Sequence, residues 1–90
     1  MSPTEQLKNE GFKHIYEWKD AAGITYPEHS HKDKVTLFIT EGSIVMNINK
    51  KEIFLKKGDR YDVPPRTSHT AIVGQEGCEY VVGEIIEGDS

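Results

Sequence analysis

An all-β fold, a sandwich or barrel of short strands, follows from three features of this 90-residue sequence. Apolar residues recur at every second position in run after run, which sets them on one face of a pleated strand. Turn residues punctuate those runs at intervals of roughly 8–12 residues, the spacing of sandwiches and barrels. No segment carries a convincing long helical repeat. The length allows one domain with a modest core.

Taken in order, residues 1–11 are mostly polar and read as a flexible N-terminal segment, with at most one helical turn over Pro3, Thr4, Glu5 and Gln6. The β domain then spans residues 12–90. Phe12, His14, Tyr16 and Trp18 alternate with Lys13, Glu17 and Lys19, which reads as a strand; Ile15 is the exception on the polar side. Ala21-Ala22-Gly23 turns the chain. His29, His31, Val35, Leu37 and Ile39 share one parity and Ser30, Lys32, Lys34, Thr36 and Thr40 the other, so a single histidine-bearing strand is expected. Glu41-Gly42 reads as a hairpin turn before Ile44, Met46 and Ile48 resume the alternation. Lys50-Lys51 turns into a strand over 52–56, and Lys57-Gly58-Asp59 turns again. Pro64-Pro65 interrupts any ladder before His69, Ala71 and Val73. Gly74 to Gly77 reads as the last turn, and Cys78 to Ile86 as the last strand.

Composition narrows the function. Eleven basic against fifteen acidic residues leave a net charge of −4, with the lysines scattered, and nucleic acid would want a basic stripe. No run is apolar enough for a membrane span or a secretory leader, so no membrane partner is expected and a cytoplasmic location is. A single cysteine, Cys78, forms no internal disulfide and fits a reducing compartment. There is no Gly-rich phosphate loop, Ser/His/Asp set or Cys-x-x-Cys.

The chemistry sits in the histidines. His29 and His31 are two apart, so on an extended segment both imidazoles leave one face, and His69 opens another alternating run. Three neutral imidazoles converging from two strands make a site for a divalent transition ion such as iron, manganese, nickel, copper or zinc.

The frame around these residues resembles the two motifs of the cupin superfamily. Gly23-x5-His29-x-His31-x10-Gly42 is similar to the first motif and Gly58-x5-Pro64-x4-His69 to the second, with Gly58-Asp59 and Val63-Pro64-Pro65 also typical. The resemblance covers residues 23–73 and implies a single-domain jelly-roll β-barrel with the histidines inside its mouth. The glutamate of the first motif falls at Val35, beside Thr36; the second motif's glycine is Arg66 and its asparagine Val73. The ligands carried over by resemblance are therefore His29, His31 and His69. Among cupins a three-histidine set resembles that of thiol dioxygenases and some diketone-cleaving enzymes, which implies ferrous iron holding substrate and oxygen together. A small anionic organic molecule would offset the missing carboxylate.

Further residues are candidates for contact with such a molecule. Arg66, three before His69, is a candidate carboxylate clamp. Tyr26, Tyr61 and Tyr80 are candidate cavity donors, and His14 is a candidate fourth ligand or base. Cys78 reads as an inert buried thiol. Three function classes stay open: a metal-dependent enzyme, with an iron dioxygenase foremost, a non-catalytic small-molecule binding or sensing module, and an interaction protein without metal. The apolar members of the Phe12–Trp18 stripe need a cover, and a homodimer formed through residues 12–18 is expected.

Overall fold

The computed structural model describes residues 2–86; Met1 of the N-terminal segment and residues 87–90 of the barrel domain lie outside the described residues. A helix, α1 (Pro3–Asn9), precedes six strands: β1 (Phe12–Asp20), β2 (Thr25–His29), β3 (Val35–Ile48), β4 (Lys51–Lys56), β5 (Arg60–Val63) and β6 (His69–Ile86). Every strand pairing is antiparallel. All six strands form one continuous sheet, in which the two long strands, β3 and β6, pair with each other along most of their length. The first half of β3 and the second half of β6 are flanked by β5 and β1, and the halves around Met46 and Ala71 by β4 and β2. The result is an all-β jelly roll. No helix of the described residues is long and apolar enough to cross a membrane.

Two expected turns are bends inside strands. β3 runs through Glu41-Gly42, where its register against β6 shifts on both sides, and β6 runs through Gly74 to Gly77. A bulge adds one residue and so flips side-chain parity. The inward set accordingly changes from Val35, Leu37 and Ile39 to Ile44, Met46 and Ile48, all buried. On β6 it changes from His69, Ala71 and Val73 to Cys78, Tyr80 and Val82. Gly42 has φ +75, and a Cβ there would collide with the backbone carbonyl of Gly77, so the two bends nest only as glycines. The β3–β4 hairpin turns on Asn49 and Lys50, with φ 53 and 65, one residue earlier than Lys50-Lys51. Positive φ at both central positions matches the twist of the flanking strands, and asparagine tolerates it best.

A capped, docked helix stands where the sequence reads as a loose turn in a flexible segment. The Ser2 hydroxyl accepts from the Glu5 N–H at 3.1 Å, and Pro3 opens the first turn. Seven residues do not hold a helix alone. Docking does: Leu7 is fully buried against Phe12 and Val81, with Ile15 and Phe38 closing the cluster. Ile15 thus breaks the polar face of β1 because the helix covers it. Arg60 of β5 donates two hydrogen bonds to Glu10, each 2.6 Å, and stacks 5.1 Å from the Phe38 ring. That pairing holds the Glu10 carboxyl below the usual carboxylate range.

Candidate metal centre and ligand cavity

β2 and β6 bring the first two imidazoles together. His29 pairs directly with His69, which has Ile48 of β3 on its other side. A register shift between Tyr26 and His29 turns both toward the interior although they are an odd number of residues apart. His31 is not on a continuous strand with His29. β2 ends at His29, and residues 30–34 form an irregular crossing before β3 begins. Charged Lys32, Asp33 and Lys34 suit that exposed crossing. The Arg66 N–H donates to the His31 carbonyl at 2.6 Å, tying the crossing to the turn after Pro65.

The three rings converge. Centroids lie 4.3 Å apart for His29 and His69, 5.0 Å for His29 and His31, and 5.4 Å for His31 and His69. One ring nitrogen from each lies within 4.8 Å of the others, close enough to share one ion. Nδ1 of His29 meets the Pro27 carbonyl at 2.7 Å, and Nδ1 of His69 meets the Thr67 carbonyl at 2.9 Å. A carbonyl only accepts, so each Nδ1 carries the proton and each Nε2 keeps a free lone pair in the neutral ring. Backbone contacts of this kind orient metal-binding imidazoles. His31 is pushed below the ordinary imidazole value by burial first, then by the neighbouring rings, while Glu84 works the other way. Low proton affinity and a preset tautomer fit a divalent transition ion.

The rings open on a cavity of about 490 Å³. Val35, Leu37, Met46 and Val82 give it an aliphatic wall, and Tyr16, Trp18, Tyr26 and Tyr80 an aromatic one. Its lining contains Glu84 but, among the described residues, no lysine or arginine.

Sequence candidates divide on this geometry. Tyr26 and Tyr80 line the cavity, and their hydroxyls donate to Asp20. His14 lines it too but stands outside the three-ring group. Tyr61 packs against the core and does not line the cavity. Arg66 is exposed with φ 55 and lies outside the lining; its contribution is the backbone bond to His31. Cys78 is buried, and burial pushes its thiol up to about 11. Phe12 leaves the expected stripe for the helix-covered cluster, whereas His14, Tyr16 and Trp18 face the cavity.

Two carboxylates were not anticipated. Glu84 is the direct cross-strand partner of both Val35 and His14. It places a carboxylate beside the position where the first motif resembles a glutamate-bearing one. Thr36 offers no substitute, since it is buried on the other face and donates to Asp62 at 2.9 Å. Asp20 is the second. Both continue inward parities visible in the sequence, Glu84 that of Tyr80 and Val82, Asp20 that of His14, Tyr16 and Trp18.

The family model described as the cupin domain matches residues 16–83. Among solved structures, a cupin superfamily protein from Desulfitobacterium hafniense superposes with a TM-score of 0.73 at 20% identity, covering 81% of this chain and 66% of that one. The DMSP lyase DddQ from Ruegeria pomeroyi gives 0.73 at 21%, covering 84% and 39%. The W96Y oxalate decarboxylase from Bacillus subtilis gives 0.75 at 18%, covering 97% and 24%. The chain thus spans about two thirds of the first of these and much less of the two enzymes. No functionally curated protein matches the sequence.

Proposed function

The chain belongs to the cupin family, and from that premise we propose that it holds one divalent transition ion through His29, His31 and His69 and binds a small organic molecule in the adjoining cavity. One observation carries the reading: three imidazole nitrogens lie within 4.8 Å of one another, and carbonyls set two of the rings so that Nε2 is free. Bound there, the ion supplies Lewis-acid activation and a charge that attracts an anionic group. The chain's own residues do the rest. Val35, Leu37 and Val82 exclude water beside the rings, and Glu84 keeps an acceptor on the same wall. Tyr16 remains a protonated donor, pushed up to about 12 by burial and then by its hydrogen bond to Glu84.

On this reading the reaction is a metal-dependent transformation of a small organic acid or thiol, with iron-dependent dioxygenation the foremost form, in a reducing cytoplasmic setting. The fold itself leaves the chemistry open, since structures that share it carry names as different as a lyase and a decarboxylase. A second reading, a binding module without turnover, is favoured by Val35, which leaves the position of the motif's carboxylate apolar.

Elemental analysis after reconstitution with iron, manganese, nickel, copper or zinc tests the proposal. One ion per chain is expected, lost in the His29→Ala/His69→Ala double variant; no retained metal, or unchanged retention in the variant, overturns it. Oxygen uptake by the iron-loaded protein with small thiols, diketones and phenolic acids supports the enzyme, and ligand-induced thermal shifts without uptake support the binding module.

A further inference from the structure

Behind the aromatic wall of the cavity stands a buried carboxylate. Asp20, 8% exposed, accepts from Trp18 Nε1 at 2.9 Å and from the Tyr80 hydroxyl at 2.7 Å. The Tyr26 hydroxyl reaches both of its carboxylate oxygens, at 2.7 and 2.8 Å. None of the ion pairs of the described residues includes Asp20. Its charge is therefore spread over three dipoles rather than neutralised.

The donors have a consequence for the cavity. Each hydroxyl or indole has one hydrogen, and it points at Asp20. Burial, with Asp20 beside them, pushes both phenols upward, so they stay protonated in that role. What this wall offers a ligand is then phenolic lone pairs and ring faces, with a carboxylate behind them and, among the described residues, no lysine or arginine in the lining. An anion meets only repulsion there. A cation gains from the ring quadrupoles and from Asp20.

We infer that the Trp18–Tyr26–Tyr80 wall backed by Asp20 is a subsite for the positively charged end of the ligand, an alkylammonium or similar onium group. The inference rests on the small-molecule reading of the cavity given above. It replaces a simple anion with a zwitterion, because the Tyr26 ring lies 6.4 Å from the His29 ring and one small molecule spans both. The Arg66 clamp expected from the sequence would have selected an anion, and Arg66 does not line this cavity.

Glycine betaine and its isostere 3,3-dimethylbutanoate differ only in the charge of the bulky end, and Trp18, the chain's single tryptophan, reports on the subsite. In metal-loaded protein, calorimetry should show betaine binding at least about fivefold tighter, with a saturable change in Trp18 fluorescence. In metal-free protein, tetramethylammonium chloride should give the same saturable change and sodium chloride should not. Asp20→Asn should abolish the betaine advantage. Trp18 is half exposed, so Trp18→Leu keeps the core, and it should abolish the advantage even if the Asp20 variant unfolds. Equal affinity for the two isosteres, or no response to tetramethylammonium in the folded parent, overturns the inference. The metal is measured separately: if reconstitution leaves no metal on the protein and tetramethylammonium still gives its saturable change, the metal reading falls and this one stands.

Discussion

Val35 and Glu84 face each other across the β3–β6 ladder, and that single pairing decides how the missing motif glutamate should be understood. A carboxylate introduced by Val35→Glu would stand opposite an existing one in a largely apolar wall. Like charges directly opposite destabilise, as does a carboxylate without a partner. Metal-free Val35→Glu should therefore lose about 1–3 kcal/mol in urea unfolding, and manganese should restore stability while binding more tightly than to the parent. Loss of stability that manganese leaves unchanged would separate Val35 from the metal centre. His31 sets a pH dependence of its own. Its folded value lies below the ordinary 6.5, chiefly through burial. The unfolded chain then binds the proton more readily, so this contribution is complete above about 6.5 and is lost as pH falls through the lowered folded value. Urea midpoints of the metal-free protein should drop between neutral and mildly acidic pH, and His31→Gln should flatten the drop. Metal affinity should fall over the same range, since ligand imidazoles must be neutral.

Among the elements, α1 shows how a marginal local signal becomes structure through packing. Its cap residues, Ser2 and Pro3, and its first-turn Glu5 were present in the sequence, yet a seven-residue helix has little stability alone. Leu7, Phe12, Val81, Ile15 and Phe38 supply the rest. Leu7→Ala should cost about 3 kcal/mol by chemical denaturation, more than Ser2→Ala, whose lost cap is worth about 1 kcal/mol. A Leu7→Ala effect below that of the cap would show that the helix is not docked through this side chain. Gly83 allows the close approach, since a Cβ there would sit 3.1 Å from both Leu7 Cδ1 and Phe12 Cδ1. The bends of β3 and β6 were legible in principle. Inward parity changes between Ile39 and Ile44 and again between Val73 and Cys78, as a bulge requires and a tight hairpin does not.

For the molecule as a whole, the edge of β1 bears on association. β1 ends the strand order and pairs only with β6, so its other edge is free among the described residues. Lys13, Glu17 and Lys19 along it discourage indiscriminate pairing, while Trp18 stays half exposed at the cavity rim. A two-fold pairing of residues 12–18 remains the expected homodimer. Light scattering at micromolar concentration should give the mass of two chains, and proline at Glu17 should shift it to one. A one-chain mass for the parent would leave β1 as the wall of its own cavity alone.

Alternation and turn chemistry by themselves determined an all-β fold, a sandwich or barrel, because a side-chain period of two depends only on the backbone of each strand; the motif resemblance chose the barrel. Histidine spacing within the two motif-like blocks likewise marked His29, His31 and His69. Only the tertiary structure decided which polar groups join them. Arg66, three residues from His69, turns outward, while Glu84 on β6 lines the cavity and Asp20 on β1 backs its aromatic wall through Trp18, Tyr26 and Tyr80. Sequence separation carries no information about such cross-strand neighbours, and register, set by bulges and the packing of apolar faces, carries all of it.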